Sequence, residues 1–299
     1  MQVMTWLGYA FAGITIWSVT ATADRFFLIR HVTSKRFYVV VPALLQFSVV
    51  LIFAIFFSIP HATPLAALAA IASGATEVIL LYYLYTAVSS DEVSRVFPLA
   101  TAGPIFTLVL GWLFLKETPT PHQLVAFVLF LIGGFLLAAK FNESGASISR
   151  AIKPLFIGAL FTSVFTLLLR FAFVASNFWS GFFYSRLGFF IGGLIVLYMY
   201  RKEITHQWRE LELGTRAALI GNQLAAFSGH AFYFLAISLA SAALVQSVLG
   251  AQSAIILFFA VLVSLWNRDI VKESAAPRDI LQKSIGVAFI VAASYLLAV

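Results

Sequence analysis

The sequence predicts an all-α integral membrane protein, with ten transmembrane helices arranged as two inverted five-helix repeats. Composition is the first observation: 62% of the 299 residues are apolar and 10% are charged, whereas soluble domains carry about 25% charged residues. The second is that most of the chain falls into long apolar blocks, and a spanning helix needs about 20 such residues. The third is an internal repeat.

Polar, charged and proline residues divide the chain into the ten predicted helices. Very short breaks, such as Ser89–Glu92, require neighbouring helices to form antiparallel hairpins. Ala21-Thr22-Ala23 resembles a signal-peptide cleavage site, but no Lys or Arg precedes it, so we expect the first helix to be retained. In chain order the helices are Val3–Ala23, Phe37–Ile59, Pro64–Val88, Val93–Leu115, Gln123–Ala139, Pro154–Ala175, Phe178–Tyr200, Arg216–Leu239, Ala242–Trp266 and Lys283–Ala298.

The repeat is visible in two stretches of similar pattern. Tyr83–Glu117 and Phe232–Trp266 each contain an Ala-x-Ser turn, at Ala87 and Ala236, and continue into a long apolar helix. Because each half holds five helices, an odd number, two similarly folded halves must lie upside down relative to each other. Inverted repeats around a shared central cavity are typical of secondary transporters. The predicted units are residues 1–139, a linker of residues 140–153, and residues 154–299.

The charges between the helices predict an orientation. Sixteen Lys and Arg residues, Arg25, Arg95 and Lys283 among them, fall in the odd-numbered loops, whereas the even-numbered loops and the termini contain only Lys116. Basic loops favour the cytoplasmic side. We therefore expect a multi-pass protein of the cell (inner) membrane with both termini external.

Several classes of function are excluded or disfavoured. The chain has no Cys, which excludes disulfides, thiol catalysis and thiolate metal sites. No basic stretch is interleaved with aromatic residues, so we expect no nucleic-acid partner, and the net charge of +7 reflects the one-sided loops. We expect no cofactor and no metal. The expected partners are the lipid bilayer and a small-molecule substrate, bound by a monomer or a homodimer.

Four features together resemble the ten-helix EamA-like branch of the drug/metabolite transporter superfamily. Trp17 is followed eight residues later by Arg25, and the fourth helix contains Pro98 and Pro104 in a run that ends at Glu117. The other features are the run Leu131-Ile132-Gly133-Gly134 and Arg186 in the seventh helix. The resemblance covers nearly the whole chain, although Asn267-Arg268-Asp269 stands where the second half would carry Gly-Glu.

The resemblance implies a fold and a class of function. It implies a central cavity lined mainly by the first, third, fourth, sixth, eighth and ninth helices. It also implies substrates such as amino acids, sugars, nucleotide sugars or organic cations, which are moved without ATP hydrolysis.

Glu77 is the clearest candidate for chemistry inside the membrane. No other charged residue accompanies it within its helix, and a charge at the bilayer centre costs roughly 2.5 to 3.5 kcal/mol on insertion scales, so such residues usually face a cavity. Glu77 is predicted to couple proton movement to transport or to bind a cationic group. The alternative is a paired or neutral Glu that ties helices together.

The eighth helix presents a polar stripe. Asn222, Ala226, His230 and Tyr233 follow one another at spacings of four, four and three residues, which places them on one face. A buried His can carry protons near neutral pH, or it can bond to a backbone carbonyl at a helix interface. Asn222 and Gln223 are predicted either to line the cavity or to bond between helices.

The remaining candidates are basic and aromatic. Arg170 and Arg186 flank the short break between the sixth and seventh helices, so they are predicted to share one electropositive pocket for a carboxylate or phosphate, or to bind helix-end carbonyls. Asp24 and Arg25 are interpreted as a surface pair.

Aromatic and proline residues complete the predicted site. Tyr82, Tyr83, Tyr85 and Trp17 form an aromatic wall for cations or rings, or else pack against lipid. Pro98 frees backbone carbonyls in a helix that lines the cavity.

The sequence thus predicts a secondary transporter that moves a small, amino-acid-like organic metabolite by alternating access, with proton coupling through Glu77. The predicted substrate-binding residues are Trp17, Tyr82, Pro98, Arg170, Asn222, His230 and Tyr233. The alternative substrates are nucleotide sugars or other phosphate-bearing molecules. An intramembrane enzyme or a lipid-handling protein is a further alternative, but the chain lacks the His-Glu-x-x-His zinc motif and a phosphate loop.

Overall fold

The computed structural model describes residues 2–58, 60–100, 103, 106, 109–110, 120–142, 145–240, 242–266 and 277–298. Within these residues the protein is a helical bundle with one small hairpin. The helices are α1 (Gln2–Arg30), α2 (Lys35–Phe57), α3 (Pro64–Ser90), α4 (Val93–Ala100), α5 (Pro121–Ala138), α6 (Ile152–Ala175), α7 (Phe178–Met199), α8 (Arg201–Glu210), α9 (Leu213–Leu239), α10 (Ala242–Trp266) and α11 (Pro277–Ala298).

The prediction of a multi-pass helical membrane protein is confirmed. Five of the described helices, α2, α3, α6, α7 and α11, are long and apolar enough to cross a membrane. Large apolar side chains point away from the bundle, including Phe56, Phe135 and Phe258, which are 78%, 66% and 62% exposed. Apolar surface on this scale is rare on monomeric soluble proteins, and lipid is the environment that it fits.

Polar caps explain why several helices begin where they do. The side chain of Ser34 accepts a hydrogen bond from the Phe37 amide at the start of α2, and Asn177 accepts one from the Ser180 amide at the start of α7. Thr63 caps α3, whose first residue is proline. These side chains satisfy amide donors that have no partner within the helix.

Two predicted helix boundaries are wrong where charged residues are buried. The first helix continues through Asp24 and Arg25 to Arg30, because both charged side chains are buried and bonded to neighbouring helices. The surface-pair interpretation of these two residues is therefore wrong. The last helix begins at Pro277, and Lys283 lies within it, buried against Glu92 at 2.6 Å. Arg95 is also buried in a helix.

Two elements were not predicted from the sequence. A hairpin of β1 (Ala139–Asn142) and β2 (Gly145–Ile148) pairs antiparallel, with Ala139 opposite Ile148, inside the stretch interpreted as a linker. Helix α8 lies between two long helices, in a stretch whose charges suggested a loop. It is amphipathic: Ile204 and Gln207 are buried, whereas the cationic residues at both ends are exposed.

Small residues allow the helices to approach closely. Helix α3 packs against α6 and α7, α1 against α9 and α10, α2 against α7, and α5 against α11. A Cβ atom added at Gly74 would collide with the Ser185 carbonyl, and one added at Gly188 would collide with Ile71. Close packing through small residues is the usual basis of helix association in membranes.

Candidate functional site

A cavity of about 150 Å³ lies among six helices of the bundle. Its walls come from α1, α3 and α4 in the first half of the chain and from α6, α9 and α10 in the second. Most of the surface is apolar, with a few polar groups, as is usual for small-molecule sites. The polar, ionisable and aromatic lining residues are Trp17, Thr20, Asp24, Glu77, Tyr85, Phe97, Thr162, Phe165, His230, Tyr233 and Gln252.

Glu77 forms the centre of a buried charged cluster. Its carboxylate pairs with the Arg186 guanidinium, through Nη2 to Oε2 and through Nη1 to Oε1 at 3.3 Å. Arg186 Nη1 also donates to the Gln46 amide oxygen at 2.6 Å. Both charged side chains are almost completely buried, at 2% and 0% exposed. Arg186 offsets the charge of Glu77, which would be expensive to bury alone.

His230 joins this cluster from α9. Its Nε2 lies 3.1 Å from Glu77 Oε1, and Nδ1 lies 2.8 Å from the Ala226 carbonyl oxygen and 3.3 Å from Trp17 Nε1. With Glu77 ionised, Nε2–H donates to the carboxylate. A neutral ring then accepts the Trp17 N–H at Nδ1, whereas a protonated ring donates from Nδ1 to Ala226. The partner of Nδ1 therefore depends on whether the ring carries a second proton.

Asp24 forms a second polar cluster on the cavity wall. Its Oδ1 atom accepts hydrogen bonds from Tyr38 at 2.6 Å, from Asn222 at 2.7 Å and from Gln223 at 3.3 Å. These donors come from α2 and α9, and all three are uncharged. The carboxylate is 8% exposed and lines the cavity. Asp24 thus differs from Glu77, whose carboxylate contacts the guanidinium of Arg186 and the imidazole of His230.

Arg170 lies outside the set of cavity-lining residues. It donates from Nη1 to the carbonyl oxygens of Ile237 at 2.7 Å and Ser238 at 2.9 Å, at the end of α9. Arg186 binds Glu77 instead, so the two arginines have different partners and the expectation of one shared electropositive pocket is wrong. Arg25 resembles Arg170, because it donates to the Val88 carbonyl at the end of α3.

The other predicted site residues are distributed as follows. Tyr233 lines the cavity beside Trp17, with ring centroids 4.8 Å apart, and Asn222 contacts Asp24. Tyr82 packs edge-on against Tyr83 at 5.6 Å, and neither is among the lining residues. Pro98 lies in α4, whereas Pro104 falls outside the residues that the structure describes.

Sequence reasoning missed two of the partners that define these clusters. Gln46 and Tyr38 lie in long apolar helices and belong to no motif. A single polar residue within an apolar span was the available signal, since such residues usually face other helices or a cavity. The sequence alone gave no means of pairing residues that lie more than a hundred positions apart, such as Glu77 and Arg186.

Part of the chain matches the model of a known protein family. Residues 4–139 match the model of the EamA-like transporter family, which confirms the resemblance over that range. An uncharacterized protein of Methanocaldococcus jannaschii is 44% identical over 69 residues, which are 23% of this chain and 50% of the relative. The chain thus spans about half the length of the curated relative that it matches.

A solved structure also matches, described only as the crystal structure of a protein. It covers 96% of this chain and 94% of its own, with a TM-score of 0.56 and 14% sequence identity. At that identity the likeness shows the fold alone, and it extends across both halves of the chain.

Proposed function

We propose that this multi-pass membrane protein, whose residues 4–139 match the EamA-like transporter family, is a secondary transporter that moves a small organic metabolite by alternating access. The observation that carries the proposal is the cavity, which is lined from both halves of the chain and contains buried ionisable side chains. Residues 1–139 and 154–299 are the two inverted repeats, and rocking of one against the other exposes the cavity to each side in turn.

Reciprocal helix contacts support two related halves. The first helix of each half packs against the third helix of the other, as α1 does with α9 and α6 with α3. The first helix of each half also packs against the fourth of the other, as α1 does with α10 and α6 with α4. The second helices, α2 and α7, contact each other, as do the fifth, α5 and α11. Exchanging the halves leaves this set of contacts unchanged, as expected for a two-fold relation.

Two arginines support the same relation at the level of single residues. Arg25, in the first helix of one half, binds the Val88 carbonyl at the end of the third. Arg170, in the first helix of the other half, binds the Ile237 carbonyl at the end of its third. Val88 and Ile237 are matching positions in the two similar stretches, each directly after the Ala of an Ala-x-Ser turn.

The lining of the cavity favours an organic metabolite over a phosphate-bearing substrate. Among the described residues, no Lys or Arg side chain lines the cavity, whereas two carboxylates do. A nucleotide sugar would place its phosphates next to Asp24 and Glu77, where the described lining offers no Lys or Arg side chain to bind them. Arg170, which suggested a phosphate site, is engaged with helix-end carbonyls.

Proton coupling is proposed to reside in Glu77 together with His230. The two side chains are in contact at 3.1 Å, and His230 faces the cavity. Glu77→Gln keeps an oxygen acceptor for His230 but removes the carboxyl that binds and releases a proton, so it should abolish accumulation driven by a pH gradient while leaving substrate binding detectable. Undiminished proton-driven uptake by this variant would mean that Glu77 only holds neighbouring helices together and takes no part in proton coupling.

A two-step experiment tests the transport proposal. A thermal-shift screen of the purified chain against metabolites identifies ligands, because a ligand that binds only the folded state stabilises it. The best ligand is then followed by uptake into vesicles that contain the protein. Saturable uptake, absent from vesicles without protein, is the expected result. Ligand binding without any protein-dependent uptake would contradict transport.

A further inference from the structure

We propose that the cavity binds a protonated amine carried on an apolar, ring-sized body, with the ammonium group paired to Asp24. The inference rests on the proposed function, because it names the substrate class of that same cavity. It assigns the substrate charge to Asp24 rather than to Glu77.

The two carboxylates on the cavity wall differ in their partners. Of the two carboxylates on the cavity wall, Glu77 is paired with Arg186 and contacts His230. Asp24 receives hydrogen bonds only from the neutral groups of Tyr38, Asn222 and Gln223. A buried charge without a counter-charge is costly, so a cationic ligand gains more by approaching Asp24.

The two oxygens of the Asp24 carboxylate are in different environments. All three hydrogen bonds to Asp24 end on Oδ1. Within the described part of the chain, Oδ2 accepts no hydrogen bond, and the residue lines the cavity. The donors fix the orientation of the carboxylate through Oδ1 and leave Oδ2 available. An ammonium group has three donors and no acceptor, which suits a carboxylate oxygen in this position.

The walls of the cavity are mostly apolar. They include Leu81, Leu84, Tyr85 and Phe97, which accommodate apolar carbon and add two aromatic rings that can attract a cation. A cavity volume of about 150 Å³ matches that of an engineered apolar cavity that holds benzene. A small body with about one ring therefore fits this cavity.

A second polar contact lies toward the other end of the cavity. Tyr233 is 2% exposed, and its hydroxyl has no hydrogen-bond partner among the described residues. It packs against Trp17, which precedes Asp24 by seven residues on α1, a rise of about 10 Å. An amine with a hydroxyl at the far end of its ring would supply the missing partner.

The test uses the full-length chain in detergent with three probes of similar shape. Tyramine is a cation, 2-(4-hydroxyphenyl)ethanol is neutral, and 3-(4-hydroxyphenyl)propionate is an anion. We expect tyramine to raise the unfolding temperature in a saturable way and the other two to have little effect. Equal or tighter binding of the alcohol or the propionate, or no binding of tyramine at millimolar concentration, would overturn the proposal.

Two variants locate the site. Asp24→Asn keeps the size of the side chain and an oxygen acceptor but removes the charge, and it should raise the dissociation constant of tyramine at least tenfold. Glu212→Gln, at an exposed carboxylate away from the cavity, is the matched control and should leave it unchanged. Tyr233→Phe should weaken tyramine but not phenethylamine, which lacks the phenolic hydroxyl. If Asp24→Asn does not fold, the three-probe comparison on the unmodified chain still shows whether the cavity prefers a cation.

Failure of this inference and failure of transport give different results. Selective binding of tyramine without its uptake into vesicles would support the amine site and contradict transport. Protein-dependent uptake of an anion or a neutral metabolite, with no binding of tyramine, would support transport and contradict the amine site.

Discussion

Single residues show where charge is held inside the bundle. The sequence identified Glu77 as the clearest intramembrane charge, whereas Arg186 was predicted to share an electropositive pocket with Arg170. The structure pairs the two, because α3 and α7 approach closely at Gly74 and Gly188. That Glu77 faces a cavity could be anticipated from the cost of a charge inside the membrane, whereas its partner could be identified only from the helix packing.

The Glu77–Arg186 pair gives the first prediction. Arg186→Met leaves Glu77 without its main counter-charge, and breaking a buried pair in this way costs about 3–5 kcal/mol. The double change Glu77→Gln with Arg186→Met removes both charges and should recover much of that loss. Thermal unfolding in detergent measures both variants. Arg209→Met, at an exposed arginine, is the control, and an equal effect of Arg186→Met and Arg209→Met would contradict the pairing.

At the scale of helices, the sequence was enough to predict that the long elements are helical and in which order they follow. The ends of some helices could not be predicted. Apolar length identified the long helices, and the predicted bounds of α10 agree with the structure. The end of α1 was missed because Asp24 and Arg25 were treated as surface charges, although both bind neighbouring helices. Helix α8 was missed because only a few of its residues are buried, too few for composition to separate it from a loop.

Helix-end binding by Arg25 and Arg170 gives the second prediction. Each guanidinium satisfies a carbonyl that has no partner within its helix, and a hydrogen bond to a charged group contributes about 1.5–3 kcal/mol. Arg25→Gln and Arg170→Gln should each lower the unfolding temperature by a similar amount, with Arg209→Gln as the control. A large effect at one position and none at the other would contradict their equivalence in the two halves.

Docking of α8 gives a prediction about pH. Glu203 accepts a hydrogen bond from Ser34 at 2.5 Å and pairs with Arg36 at 2.8 Å. The hydrogen bond from the Ser34 hydroxyl lowers the pKa of the Glu203 carboxyl from its ordinary value of 4.5, and Arg36 lowers it further. Because the pKa is lower in the folded state, this stabilisation is present above about pH 4.5 and is lost as the pH falls through the folded pKa.

A spin label at Thr205→Cys measures this docking directly, since the natural chain has no cysteine. The label should become more mobile as the pH falls below about 4.5. In Glu203→Gln it should be mobile at every pH. Mobility that changes equally with pH in both proteins would contradict a role for Glu203.

At the scale of the whole molecule, the sequence predicted the fold class and the helical bundle. Two similar stretches suggested the repeat, and the reciprocal contacts of α1, α9, α3 and α6 support it. The cavity could not be assembled from the sequence, because its walls combine residues from six helices of both halves. Asp24 was therefore placed at the surface, although the structure puts it on the cavity wall.

Orientation in the membrane is the next prediction. The loop charges place the α2–α3 loop outside and α8 inside, and both termini outside. A membrane-impermeant maleimide applied to intact cells should label His61→Cys, in the α2–α3 loop, but not His206→Cys, on α8. Both histidines are exposed, so each variant should react after permeabilisation. The reverse labelling pattern would place both termini in the cytoplasm.

Counterflow tests alternating access most directly. Vesicles that contain the protein are loaded with an unlabelled ligand from the thermal-shift screen, or with tyramine if the amine site holds, and are diluted into a trace of the labelled compound. An alternating-access carrier exchanges one molecule for another, so the labelled compound should rise transiently above its equilibrium level inside. A rise only to equilibrium, at a rate that the internal ligand does not change, would indicate a channel and contradict the account.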